Sequence, residues 1–408
     1  MKCRHCNAPL NLQFVDLGSS PPSNAYLTKD KLTAPEKWYP LRVLACAQCW
    51  LVQTEDFTQA EELFDAEYAY FSAFSSSWLE HCKQYVNDMV ELFELSSNSH
   101  VVEVAANDGY LLQYVKSSGI PCTGVEPTAS TAAAAREKGI DIIEAFFGEK
   151  LAREMVDKGL SADLTAANNV LAHVPDINDF VKGFATLLKP AGVSTFEFPH
   201  LLQLVLQNQF DTIYHEHFSY LSLIAVSAIF EKSGLQIFDV QELPTHGGSL
   251  RVFAQRSDTG QRSVSPSVER VLAAEVSNGL QSDSMCMGFQ RKSEVVKNDF
   301  LEFLLLAKKQ GKKVAAYGAA AKGNTLMNYA GVKSDLISFV VDKNPAKQGK
   351  YMPGSRIPIV AEDALKKFQP DYIVILPWNI KQEVRTQLSY VREWGGKFVT
   401  AVPTLQVD

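Results

Sequence analysis

The chain has 408 residues, 46% of them apolar and 21% charged, the profile of a soluble globular protein of two or three domains with a sizeable core. A net charge of -7 offers no basic field for nucleic acid, and no apolar run reaches membrane-spanning length. No signal peptide is evident, so a cytoplasmic protein is expected, in which the seven cysteines serve as thiols or metal ligands rather than disulfides.

Residues 1–75 carry two C-x-x-C knuckles, Cys3-Arg-His-Cys6 and Cys46-Ala-Gln-Cys49, separated by 39 residues. Four thiolates match tetrahedral Zn(II) and leave no position for water, so a structural metal is expected to staple a segment too small for its own core. On this reading zinc removal unfolds the segment and leaves the chemistry alone. His5 lies inside the first knuckle, but Cys3, Cys6, Cys46 and Cys49 already complete the shell. Zinc ribbons often bind nucleic acid; the acidic total and the lack of a basic, aromatic-rich patch oppose that here. The aromatic and hydroxyl cluster from Tyr68 to Trp78 reads either as a cap on an amphipathic helix or as a polar lid, in which Tyr70 and Ser72 would meet a substrate.

Residues 76–257 alternate strand and helix patterns. Strands are expected at 101–105, 121–126, 140–146, 163–168 and 192–198, and helices at 109–118, 129–138, 148–158, 177–188 and 201–211. The alternation implies a doubly wound, mainly parallel sheet. Val101–Val104 followed by Ala105-Ala106-Asn107-Asp108-Gly109 and Leu111, Leu112 and Val115 is a strand, a tight turn and a helix. Such a turn aims backbone N–H groups at a ligand. The next apolar run ends at Glu126, whose carboxylate can take both hydroxyls of a ribose. A dinucleotide fold wants G-x-G-x-x-G for its pyrophosphate, and this turn has one glycine and an acid, Asp108, which would repel a pyrophosphate and suit a cationic sulfonium. Two further strands, 235–240 and 249–254, are joined through Pro244-Thr-His-Gly-Gly248, a hairpin that forces an antiparallel pair. A parallel sheet closed by such a hairpin is the class I methyltransferase layout.

The four-cysteine knuckles, the Glu103-x-Ala105-x-Asn107-Asp108-Gly109-Tyr-Leu-Leu turn, Tyr214-His-Glu-His217-Phe-Ser-Tyr220 and Gly318-Ala-Ala-Ala-Lys-Gly323-Asn-Thr together resemble the sugar C-methyltransferase family over the whole chain. The resemblance implies a zinc-containing enzyme that uses S-adenosylmethionine to methylate C-3 of a nucleotide-linked keto-deoxysugar, of the tetronitrose and kijanose type. Ala105 stands where methyltransferases usually carry the first turn glycine. Glu103, Ala105, Asn107, Asp108 and Gly109 are expected around the cofactor, Glu126 on its ribose, one of Phe146 and Phe147 on its adenine, and Asn168 and Asn169 toward its methyl.

Carbon methylation needs a carbanion equivalent. A ketone acidifies the adjacent C–H, and a histidine near neutrality can remove that proton. Tyr214-His215-Glu216-His217 supplies the candidates: His217 as base, Tyr214 as proton or enolate partner, Glu216 to orient or charge a histidine. The resemblance assigns Tyr214, Glu216 and His217 to the same site. His173 is an alternative enolate stabiliser or a helix-cap histidine, and His246 a structural residue or a nucleotide contact.

Residues 258–408 open with a polar linker, then a helical pattern from about 266 to 310 and a second, smaller α/β unit with strands near 313–317, 336–341, 357–360, 372–376 and 397–401. Gly318-Ala-Ala-Ala-Lys322-Gly323 resembles a P-loop, but Asn324 replaces its phosphate-gripping lysine, which excludes ATP hydrolysis. The turn could still take the diphosphate of the sugar nucleotide, with Lys322 adding charge; a purely packing role is equally compatible. The two α/β units read as too different for an internal repeat. A zinc-ribbon scaffold that retains the fold, and an NAD-dependent sugar oxidoreductase, are the competing readings. Oligomeric state is not written in the sequence, and a monomer is compatible with it.

Overall fold

A computed structural model describes residues 1–57, 73 and 76–408, so Tyr70 and Ser72 lie outside the described residues. The zinc segment contributes β1 (Leu12–Ser20), β2 (Tyr39–Ala45) and β3 (Val52–Thr54). The middle unit contributes β4 (Val101–Val104), β5 (Cys122–Val125), β6 (Asp141–Ile143), β7 (Ala162–Asn168) and β8 (Leu188–Pro199), then the short β9 (Ser219–Tyr220), and finally β10 (Leu235–Leu243) and β11 (Ser249–Arg256). Its sheet has the order β10-β11-β8-β7-β4-β5-β6, and β11 runs antiparallel to both neighbours. That is the class I methyltransferase sheet expected from the hairpin. Val101 to Val104 at its centre are all buried, as a parallel strand covered on both faces requires.

β9 leaves this sheet. Val52 pairs with Tyr220 and Gln53 with Ser219, so the zinc segment's antiparallel sheet β1-β2-β3-β9 takes its edge strand from the middle unit. The linker is two helices, Pro266–Ser277 and Phe289–Lys309, where a single helical run was expected. Gly279 and Gly288 adopt φ of +81° and +100° in the intervening segment, which a continuous helix cannot accommodate. Glu275 of the first linker helix is fully buried and accepts hydrogen bonds from the Leu223 and Ile224 N–H groups at 2.6 and 2.8 Å, capping the first turn of the helix Leu223–Lys232. Phe14 of β1 stacks on Phe289 at 4.5 Å in a core that continues into the C-terminal unit.

The C-terminal unit has β12 (Val314–Tyr317), β13 (Val340–Val341), β14 (Ile359–Val360), β15 (Tyr372–Ile375), β16 (Lys397–Thr400) and β17 (Gln406–Val407), in the order β14-β13-β12-β15-β16-β17. The parallel strands β14 to β16 repeat the order and direction of β6-β5-β4-β7-β8. The likeness extends to one hydrogen-bond device. Glu126, just after β5, accepts from Asn107 N and Thr128 N, both at 2.9 Å. Asp342, just after β13, accepts from Ala319 N at 2.7 Å and Asn344 N at 2.8 Å. The two units therefore share a plan that their sequences conceal. No helix among the described residues is long and apolar enough to cross a membrane.

Candidate active site

A cavity of about 220 Å³ opens at the carboxyl ends of β4, β5 and β7, where a doubly wound sheet binds its ligand. Ala105, Asn107, Glu126, Phe146, Asn168 and Asn169 face it. Asn168 is 5% exposed and neither amide atom has a hydrogen-bond partner among the described residues. A buried, unsatisfied amide at a cavity wall is costly unless a ligand meets it. Ala105, Asn107, Asn169 and His246 all adopt positive φ, of 60°, 47°, 54° and 54°. Four non-glycine residues in left-handed backbone around one cavity mark a strained, shaped site. At Ala105 the strain has a direct test: Ala105→Gly should raise the unfolding midpoint, a net gain of about 0.5–1 kcal/mol once the added freedom of the unfolded chain is subtracted. An unchanged or lower midpoint in denaturant would show that this backbone is not strained.

Three residues expected at the cofactor shape the turn without lining the cavity. Gly109 has φ +74°, and a side chain there would meet Ile140 Cδ1 at 2.4 Å, so the turn admits only glycine. Asp108 directs its carboxylate to Ala73 N at 3.3 Å and to the Lys138 ammonium at 3.7 Å. Glu103 is wholly buried in β4, and burial holds its carboxyl well above the usual range against the opposing pull of the Tyr110 hydroxyl.

The segment Tyr214–His217 is a turn, closed by His217 N donating to Tyr214 O at 2.9 Å, and its side chains fan out. His215 reaches Pro40 O at 3.1 Å. One oxygen of the Glu216 carboxylate accepts from Asn24 N and Nδ2, both at 3.2 Å, and so anchors the zinc segment; the other is buried without a partner among the described residues, and the histidine contact is made by the Glu216 carbonyl. That carbonyl accepts from His173 Nδ1 at 2.7 Å, and Thr212 O accepts from His217 Nδ1 at 2.8 Å. Carbonyls only accept, so each ring carries its proton on Nδ1 and its lone pair on Nε2. The His217 ring lies 4.0 Å from that of Tyr214 and 4.7 Å from that of His173. His173 lines the cavity, which joins this cluster to it. Burial pushes His173 down to about 4, and burial together with the neighbouring His173 holds His217 well below its ordinary 6.5. Both rings are neutral at pH 7.

The C-terminal unit packs against the segment just before the histidine turn and against the hairpin. The Lys322 ammonium sits 4.7 Å from the centre of the Trp378 ring and donates to Asn379 Oδ1 at 2.8 Å. Trp378 Nε1 donates to the buried Asp211 carboxylate at 2.7 Å, and Trp378 packs on Gly247, next to His246. Sequence reasoning missed Trp378 and Asp211, which only the contact between units brings together. The turn at Gly318 is covered by the chain itself: Tyr26 OH and Lys347 Nζ both donate to Ala319 O, at 2.6 and 2.8 Å.

Three family models match in chain order: "Putative zinc binding domain" over residues 3–64, "Methyltransferase domain" over 78–240 and "C-methyltransferase C-terminal domain" over 244–403. The C-methyltransferase NovU of Streptomyces niveus is 34% identical over 406 residues, covering 100% of this chain and 96% of that protein. This chain belongs to the C-methyltransferase family. Among solved structures, magnesium protoporphyrin IX methyltransferase of Synechocystis PCC 6803 with bound SAH is 16% identical, over 44% of this chain and 83% of that one, with a TM-score of 0.36. A protein of Pyrococcus horikoshii OT3 is 13% identical over 49% of this chain and 100% of that one, with a TM-score of 0.37.

The C-methyltransferase takes S-adenosylmethionine in its middle unit and zinc in its N-terminal segment. The cavity fits the former: Glu126, the residue expected on the ribose, lines it, Asn168 leaves both amide atoms without a partner among the described residues, and of the two phenylalanines that line it Phe146 is 54% exposed while Phe147 also packs edge-on against Phe180 and Phe184. Phe146→Ala should therefore weaken S-adenosylmethionine binding by about 1–3 kcal/mol, the range for losing an aromatic stacked on a base. Phe147→Ala, at a half-buried position, should instead cost about 1–3 kcal/mol of folding stability. Titration calorimetry and denaturant unfolding separate the two, and a reversed pattern would exclude Phe146 from the adenine. The zinc site is equally plain. The four cysteine sulfurs lie within 4.8 Å of one another, with the Cys3–Cys49 and Cys6–Cys46 pairs at 3.5 Å. His5 is not a ligand: its Nδ1 pairs with Asn178 Oδ1 at 2.7 Å, tying the knuckle to the middle unit.

Proposed function

We propose that the enzyme methylates the carbon next to the ketone of a nucleotide-linked 4-keto-deoxysugar, a dTDP-sugar methylated at C-3, through an enolate raised by His217. The observation that carries this is the His217–His173 pair, with His217 neutral, its lone pair on Nε2, and its neighbour at the wall of the cofactor cavity. A C–H is acidic enough for a histidine only beside a carbonyl, so the base cluster selects a keto substrate. His217 Nε2 takes the α-proton, and the Tyr214 hydroxyl, or the His173 ring in its place, stabilises the enolate oxygen that results. When bound, S-adenosylmethionine supplies an electrophilic methyl for that carbon. Asn168 and Asn169 line the cavity where the methyl would lie, and Lys322, near enough to His217 and His246 to disfavour their charged forms, would offer positive charge to the diphosphate of a sugar nucleotide.

In this reading residues 1–75 are the zinc segment, 76–257 bind the methyl donor, and 258–408 help hold the nucleotide, with His246 at the junction, all in the cytoplasm. The test is incubation with S-adenosylmethionine and a panel of dTDP-, GDP- and UDP-4-keto-6-deoxysugars, read by mass spectrometry. One added methyl on a carbon of one sugar is expected. No methylated product from any of them would overturn the sugar assignment, and no calorimetric binding of S-adenosylmethionine would overturn the enzyme reading altogether.

A further inference from the structure

Glu197 is fully buried in β8, paired in register with Asn168 of β7 on one side and Arg251 of β11 on the other. Four groups meet its two ends. The carboxylate accepts from His81 Nε2 at 2.9 Å, Arg251 Nη2 at 3.1 Å and Thr245 Oγ1 at 3.2 Å, and its carbonyl accepts from Asn169 N at 2.7 Å. Asn169 and His246 are both held in left-handed backbone, and Asn169 Nδ2 donates to His246 Nε2 at 3.2 Å. Glu197 thus grips both partners of that bond, one through the Asn169 backbone and the other through Thr245 at the start of the turn. The same turn is held from outside by Gln209 Nε2, which donates to Gly247 O at 2.7 Å, and by Trp378 of the C-terminal unit against Gly247.

A buried ionic cluster is a weak way to stabilise a fold, since well-packed apolar residues serve as well or better. Here it sits where two cavity residues in left-handed backbone, Asn169 and His246, meet. We propose that Glu197 is a positioning residue for methyl transfer: it sets the Asn169–His246 pair, and with it the wall between donor and acceptor. His81 extends the arrangement, because Trp78 stacks on it at 5.0 Å and stands 5.6 Å from His246. The base is held by a separate hydrogen bond, from His217 Nδ1 to the Thr212 carbonyl. The inference rests on the methyl-transfer reading above.

The test uses the full-length, zinc-loaded enzyme with Thr245→Val, which removes one hydrogen bond and leaves the buried charges intact, and Glu197→Gln. With the keto-sugar that the wild type accepts, kcat for methylation should fall by about 10-fold and 100-fold respectively, the cost of small misplacements of reacting groups. Solvent deuterium exchange at the acceptor α-carbon, which reports enolate formation by the His217 cluster and not methyl transfer, should stay near the wild-type rate in Thr245→Val. Methylation at the wild-type kcat in Thr245→Val, or exchange and methylation falling by one common factor in both variants, would overturn the proposal and leave Glu197 a merely structural residue. Nitrogen NMR of histidine-labelled protein needs no acceptor. The His246 Nε2 resonance should shift in Thr245→Val, and an unshifted resonance would sink the proposal even if no sugar is ever methylated.

Discussion

Replacing His217 with alanine is expected to lower methyl transfer by about 10²–10⁴-fold, the usual contribution of a positioned general base. S-adenosylmethionine affinity should change little, because His173 and not His217 lines the cavity. Solvent deuterium should cease to wash into the sugar α-carbon. Exchange at the wild-type rate in His217→Ala would remove His217 as the base and pass the role to His173, whose Nε2 also carries a lone pair.

The pH dependence has a definite sign. His217 serves as a base only when neutral, and its folded value lies well below 6.5 because burial, then His173, disfavours the charged ring. Activity should therefore stay level as pH falls through 6.5, where an exposed histidine would already be half lost, and decline only at lower pH. Stability follows the same direction. His173 and His246 are both pushed down to about 4 by burial, so the unfolded chain takes up these protons before the folded one does. Their contribution is complete above about 6.5 and is lost as pH falls toward 4. A kcat/KM profile with an acid limb centred at 6.5 or above would contradict the buried, neutral pair.

What could be read from the chain was what local pattern encodes. The run Val101–Val104, the turn at Asn107–Gly109, the acid at Glu126 and the hairpin at 235–254 specify the sheet and its ligand end, because alternation and turn chemistry act over a few residues. The two C-x-x-C knuckles specify a metal for the same reason. What stayed hidden depends on contacts between distant segments. Thr54 and His217 are 163 positions apart, and Trp378 and Asp211 are 167 apart. Glu216 belongs to a motif that reads as catalytic, yet its carboxylate serves Asn24, a partner no spacing rule could name. The shared plan of the two α/β units was also invisible, because it lives in strand order and in one backbone-to-carboxylate device rather than in residue identity.

Chelating the zinc should abolish catalysis as well as unfold the N-terminal segment, although spacing alone suggested that the chemistry would survive. The path is short. Cys3 is buried and its sulfur accepts from Gln53 Nε2 at 3.3 Å, while the Gln53 side-chain oxygen accepts from Arg4 N at 2.9 Å. Gln53 belongs to β3, which pairs with Ser219–Tyr220 directly after the histidine turn. Thr54 Oγ1 donates to the carbonyl of His217 itself at 3.1 Å, and Thr54 N donates to Phe218 O at 3.2 Å. The Arg4 guanidinium lies 5.4 Å from the centre of the Phe218 ring. Structural zinc contributes on the order of 10 kcal/mol to folding of a small metal domain, more than a knuckle with few core residues can replace. Its loss frees β3, and the turn that holds His217 loses the strand that braces it. Hydrogen exchange on the chelated enzyme should show lost protection at residues 43–54 and 217–220 together, with β4, β5 and β7 still protected. Deuterium exchange at the sugar α-carbon should fall with it, while S-adenosylmethionine binding is retained in the middle unit. A protein freed of zinc, as measured by metal analysis, that still turns over at full rate would show that the knuckle and the histidine turn are not coupled.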